Sequence, residues 1–143
     1  MHRSKHLTEG PVPTSFLNGE LANPCSVTVA GAHALFLGQV REDQFDGKTV
    51  TGIEYSAYEE MVEPVIQDIK EELFRRFPDL ICVHILHSTG LVRCGEISLL
   101  VMVSSGHRKQ SFAALERGVE LIKEKLPVWK KELFSDGTSR WIQ

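Results

Sequence analysis

The stretch that decides the architecture is Ile97-Ser98-Leu99-Leu100-Val101-Met102-Val103-Ser104, followed by Ser105-Gly106-His107-Arg108-Lys109. Eight residues rich in β-branched and large apolar side chains, with no charge among them, read as a central strand covered on both faces. From Lys109 to Lys125 the pattern changes. Phe112, Leu115, Val119, Ile122 and Leu126 now step by three and four, the spacing of a helix with one buried face, and Pro127 closes it.

Working outward, Ile81 to Ser88 is a second β-rich run, separated from the first by Gly90 and an Arg93-Cys94-Gly95 turn. Upstream, Met61, Val62, Val65, Ile66, Ile69, Leu73, Phe74 and Phe77 predict a helix over 60–77, with Pro64 tolerated in its first turn and Pro78 ending it. Ala32 to Val40 reads as a strand, and Val50 to Tyr58 as another. The Asp46-Gly47 turn signal between them predicts a long hairpin. Trp129 to Phe134 and Ser139 to Ile142, divided by Asp136-Gly137, predict a terminal extended pair, and Thr14 to Asn23 a short helix. Hairpins mixed with helices favour an α+β sandwich over a doubly wound parallel sheet. Residues 1–13, broken by Gly10, Pro11 and Pro13, read as a loose arm that orders only against something else, leaving 14–143 as a single domain.

The 143 residues, 42% hydrophobic and 24% charged, suit one core. A net charge of −3 gives no general attraction to polyanions, so nucleic acid is disfavoured and anion recognition must come from local basic clusters. Cys25, Cys82 and Cys94 form no CxxC pair and encode neither a disulfide framework nor a zinc site. With no apolar run of membrane-spanning length and no apolar leader at Met1 to His6, the expectation is a soluble, cytoplasmic protein without a membrane anchor.

Three basic features could carry chemistry. Ser104-Ser105-Gly106-His107-Arg108-Lys109 lies where a strand ends and a helix begins. Free N–H groups and the helix dipole favour an anion there. The same residues fit a plain alternative in which Ser105 caps the helix and the basic side chains are solvated. Lys123 ends the helix and Lys130 opens the next segment; a reversal at Pro127, anchored by Trp129, would bring both ammonium groups into one pocket. Close like charges depress each other's proton affinity, which makes a lysine usable as an acid or base. Lysines in a last helical turn also simply complement its dipole. Arg41, closing the first strand, could reach into a cleft or lie exposed. His84 and His87, three apart on one strand, face opposite sides and suit no shared metal. Cys94 has only Arg93 nearby to activate it, so a catalytic role is disfavoured.

Four pieces taken together resemble the large, catalytic subunit of molybdopterin synthase: Phe36-Leu37-Gly38-Gln39-Val40-Arg41; Tyr55-Ser56-Ala57-Tyr58-Glu59-Glu60-Met61; Ser104 to Arg108; and Leu121 to Lys123 through Pro127-Val128-Trp129-Lys130-Lys131-Glu132. The resemblance implies a two-layer hammerhead-like α+β sandwich, mostly antiparallel, with two main helices. It implies a sulfurtransferase of molybdenum cofactor biosynthesis with no metal and no cofactor. The sulfur would come from the C-terminal thiocarboxylate of a small ubiquitin-like carrier ending in Gly-Gly, and the acceptor would be cyclic pyranopterin monophosphate. A homodimer within a heterotetramer is implied too. On this resemblance Gln39, Val40 and Arg41 line the pocket, His107 and Arg108 hold the substrate's anionic groups, and Lys123 stands beside the thiocarboxylate. Lys130 supports Lys123, and Lys131 and Glu132 complete the site. The family usually has Ala where Gly106 stands. A non-catalytic module of the same fold, holding a phosphorylated ligand or a partner's C-terminus, is the competing expectation.

Overall fold

The computed structural model describes residues 4–22 and 28–142. Asn23, at the end of the predicted first helix, and Cys25 lie outside them. The elements run β1 (Leu7–Glu9), α1 (Thr14–Ala22), β2 (Ala32–Gln39), β3 (Gln44–Phe45), β4 (Lys48–Ala57), α2 (Glu59–Arg76), β5 (Leu80–Arg93), β6 (Ile97–Ser105), α3 (Arg108–Lys125), β7 (Val128–Phe134) and β8 (Ser139–Ile142). The sheet order is β2-β6-β5-β4-β7-β8, and every pair along that path is antiparallel. The fold is therefore α+β, with two main helices on one face of an antiparallel sheet.

Ile97 to Ser105 form an interior strand of this sheet, second from its β2 edge. β6 is paired on both sides and buried almost throughout because each of its faces has a separate core. Leu99, Val101 and Val103 pack with Val62, Ile66, Ile69 and Leu73 of α2 and with Ala114, Leu121 and Ile122 of α3. Leu100 and Met102 face the other way, into a smaller cluster with Val12 and Leu86. The helices touch where Gly118 leaves room, since a Cβ there would sit 3.4 Å from Leu73 Cδ1. Arg117 donates to Glu72 across the same seam at 3.0 Å. Pro64 lies past the first turn of α2, removing one helical hydrogen bond, to the Glu60 carbonyl, from an otherwise regular helix.

Three expectations are corrected. β2 does not form a hairpin with β4: its eight residues pair with β6, while Asp46-Gly47, both at positive φ (50° and 76°), closes the two-residue strand β3 onto the start of β4. The turn signal was real but local, and β2 found its partner far along the chain. The N-terminal arm is not loose over its described part. Leu7 to Glu9 add a parallel strand to β5, Leu7 and Val12 are buried, and His6 Nδ1 bonds to the Ile85 carbonyl at 2.9 Å. Finally, Cys82 is disulfide-bonded, whereas Cys94 is the free cysteine among the described residues. No helix among the described residues is long and apolar enough to cross a membrane.

β5 organises the site. Its first part pairs with β6 and its last part, beyond His87, with β4, the chain swinging through Gly90 at φ 76°. The sheet thereby opens beside the C-terminal end of α3.

Candidate active site

A cavity of about 580 Å³ occupies that opening. The end of β2 contributes Gly38 and Gln39, the segment after it Val40 and Arg41, and β4 contributes Ile53 and Tyr55. His87 comes from β5, Ser98 from β6, and Lys123 from the last turn of α3; Val128, Lys130 and Glu132 come from β7. Pro127 makes the reversal between α3 and β7, its carbonyl accepting from Tyr58 N at 3.0 Å while Val128 N bonds back to Leu126 at 2.8 Å. The expected meeting of Lys123 and Lys130 across Pro127 is what the chain forms.

Alternation along β7 decides which neighbours join them. Val128, Lys130 and Glu132 face the cavity; Trp129 and Lys131 face away. Lys131 instead reaches Glu54 at 3.4 Å and lies over the Trp141 ring, so its expected place in the pocket is corrected. Trp129 is 52% exposed, so it is not the buried anchor that the sequence suggested. Glu132 is buried and accepts from Arg140 Nε at 2.8 Å, which compensates its charge. Arg41 lines the rim, its guanidinium bonded to Asp43 at 3.0 and 3.3 Å. The cavity's two carboxylates thus already have arginine partners. Lys123 and Lys130, by contrast, have no ion pair among the described residues. Burial, and then the charge of Lys123, hold the Lys130 pKa below its ordinary value.

His107 and Arg108 are elsewhere. They begin α3 and are exposed, whereas Lys123 lies fifteen residues on, about 22 Å along the axis at 1.5 Å per residue. Within one chain they and the two lysines cannot hold the same small molecule. The helix start is also partly filled: Asp79 accepts from the His107 backbone N–H at 2.7 Å and lies 3.3 Å from its Nδ1. Ser105 does not cap α3; its Oγ donates to the His107 carbonyl and bonds with Ser111. Nothing in the local sequence pairs Asp79 with His107 across 28 positions. Gly106 makes the contact possible, because a Cβ there would stand 2.6 Å from Asp79 Oδ1.

His87, set aside in the sequence as unsuited to a shared metal, lines the cavity. His87 is 7% exposed, packs edge-on to Tyr55 at 5.1 Å, and bonds through Nδ1 to the Ser88 carbonyl at 2.7 Å. The usable signal was period two from Ile85, which puts a polar ring on an otherwise apolar core face. Below it, Tyr55 OH donates to Ser98 at 3.0 Å, closing the floor. Burial, Glu42 and Asp43 all push the Cys94 thiol up, away from the thiolate form that a nucleophile needs.

An α+β sheet opened beside a helix end, with two lysines facing one cavity and unpaired among the described residues, defines a small protein with a cationic pocket suited to an anion. Comparison with known proteins narrows this. Residues 14–125 match the family model described as MoaE protein. The chain is 42% identical over 125 residues to molybdopterin synthase catalytic subunit 1 of Aedes aegypti, covering 86% of this chain and 80% of that one. It is 38% identical over 112 residues to the catalytic subunit of Thermoplasma volcanium, covering 78% and 80%. The fold matches molybdopterin synthase from Staphylococcus aureus at a TM-score of 0.84 and 32% identity, over 99% of each chain. A complex of subunits 1 and 2 of molybdopterin-converting factor from Helicobacter pylori matches in fold alone, at a TM-score of 0.78 and 21% identity, over 96% of this chain and 88% of that one. The chain belongs to the MoaE family, the catalytic subunits of molybdopterin synthase, and is a sulfurtransferase of molybdenum cofactor biosynthesis.

Proposed function

We propose that the cavity between β2, β4, β7 and the end of α3 is where sulfur is transferred from the C-terminal thiocarboxylate of a small Gly-Gly-ended carrier to cyclic pyranopterin monophosphate. The observation that carries this reading is the pair Lys123 and Lys130, two ammonium groups facing one cavity without a carboxylate partner among the described residues. A thiocarboxylate entering there gains charge-assisted hydrogen bonds. As its sulfur attacks the pterin side chain and displaces an oxygen there, Lys123 gives that departing oxygen its proton, and Lys130, already inclined to release a proton, supports it; water then cleaves the resulting thioester, leaving the sulfur on the pterin and a carboxylate on the carrier. Gln39, Val40 and Arg41 form the wall opposite, and the Glu132–Arg140 pair holds β7 and β8 in register beside it.

The 22 Å gap gives the dimer a chemical purpose in this reading. His107 and Arg108 act on the substrate at Lys123 only from a second copy of the chain, so the functional unit is a homodimer carrying two carriers. A non-catalytic binding module would need an anion site but no second lysine with a depressed pKa. The test is reconstitution: purified chain, thiocarboxylated carrier and cyclic pterin precursor should yield dithiolene product. Carrier binding without product, under conditions where an established synthase turns over, would refute the reading.

A further inference from the structure

We propose that His87 is a positioning and specificity residue of this pocket: a neutral hydrogen-bond acceptor whose Nε2 takes an N–H or O–H of the anionic ligand held by Lys123 and Lys130. The inference rests on the functional reading above and adds the group that recognises the ligand's donor edge.

Three features lead to it. First, Nδ1 is 2.7 Å from the Ser88 carbonyl, an acceptor, so Nδ1 carries the proton and Nε2 carries the lone pair. Second, Nε2 has no protein partner among the described residues, although His87 is 93% removed from solvent. It is not among the sealed polar atoms left without a partner, of which Ser88 Oγ is the example, and His87 lines the cavity. The free lone pair therefore meets cavity space rather than packed protein. Third, Tyr55 holds the ring from its side, and Tyr55 is itself tethered to Ser98. Orientation is thus set before a ligand arrives.

The electrostatics fit an acceptor rather than a third cation. Burial, with Lys130 and Lys123 facing the same space, holds the imidazole neutral, its pKa lowered to about 4. Glu132, the acid of that wall, is engaged by Arg140, and Asp43 at the rim by Arg41. Two ammonium groups beside one neutral acceptor select a ligand with an anionic group next to a hydrogen-bond donor. A reduced pterin bearing a phosphate has that combination; a sulfate or an ionised carboxylate, which offers acceptors alone, does not. A ring needed only for packing would fit more cheaply as an apolar residue, because an unanswered buried nitrogen destabilises the fold.

The experiment uses full-length protein with the carrier subunit bound. Histidine is labelled with ¹⁵N, and cyclic pyranopterin monophosphate is titrated into wild type, His87→Leu and His87→Gln. In wild type the free protein should show the Nδ1–H tautomer, and Nε2 should move upfield on binding. His87→Leu should bind the pterin about 10- to 100-fold more weakly, and His87→Gln, which restores an acceptor, should recover most of the loss. Inorganic sulfate, an oxyanion without a donor, should bind all three proteins alike. A wild-type Nε2 resonance unmoved by bound pterin, or a folded His87→Leu with undiminished affinity, overturns the proposal while leaving the functional reading intact. Wild type that binds no pterin at all overturns both.

Discussion

Acidification should destabilise this protein in a way that one substitution at His87 removes. An unfolded histidine titrates near 6.5, whereas buried His87 titrates at about 4. Between those values the unfolded chain binds a proton that the folded chain refuses. Stability therefore rises with pH across that window and is lost as pH falls through it. The cost begins near the unfolded value and is complete below the folded one. The full separation corresponds to about 3 kcal/mol, and between about pH 7.5 and about pH 5 the loss is about 2 kcal/mol. Because the group is nine-tenths buried, solvent screening takes little from this figure. The assay is urea denaturation at several pH values on wild type and His87→Gln. Lys123, Lys130 and Glu132 share the cavity and are present in both proteins, and His6, whose pKa burial also lowers, is common to both. Their contributions cancel in the difference. Wild type should lose about 2 kcal/mol more than the variant on going to about pH 5. Parallel stability–pH curves would refute the reasoning, since they require His87 to titrate as an open histidine does.

Three further outcomes follow from the geometry. Gly106→Ala should destabilise by about 1 kcal/mol, lowering Tm by about 3–5 °C, because its Cβ displaces Asp79 from the His107 N–H; in an Asp79→Ala background the same change should cost little. Lys130→Ala should slow product formation about 100-fold or more, while Lys131→Ala, on the opposite face of β7, should change it less than about fivefold in the same assay. The Lys130 pKa, read by NMR of its side chain, should rise part of the way toward its ordinary value in Lys123→Ala, since the neighbouring charge is removed while burial remains.

The parts of the fold that were legible were those with a local period. α2 and α3 followed from apolar steps of three and four, β6 from an uncharged apolar run, and the meeting of Lys123 and Lys130 from a proline between a helix and a strand. What failed depended on distant partners. Asp46-Gly47 makes a tight turn, but no short-range signal tells β2 to pair with β6 instead of β4. Nor does any reveal that Asp79 will answer the first N–H of a helix 28 residues on. Lys131 was a different kind of miss. Period two along β7 already separates it from Lys130, and the family resemblance carried it into the pocket against that rule. His107 and Arg108 look adjacent to the lysines in sequence order only because a helix is easy to overlook as a spacer of about 22 Å.

The central claim, that Lys123 in this cavity carries the sulfur-transfer chemistry, is tested most directly by single-turnover product formation from thiocarboxylated carrier and cyclic pterin with wild type and Lys123→Ala. Carrier affinity is measured alongside. The prediction is that the variant still folds and binds the carrier but forms dithiolene at least about 100-fold more slowly. A Lys123→Ala protein that transfers sulfur at the wild-type rate would contradict the account.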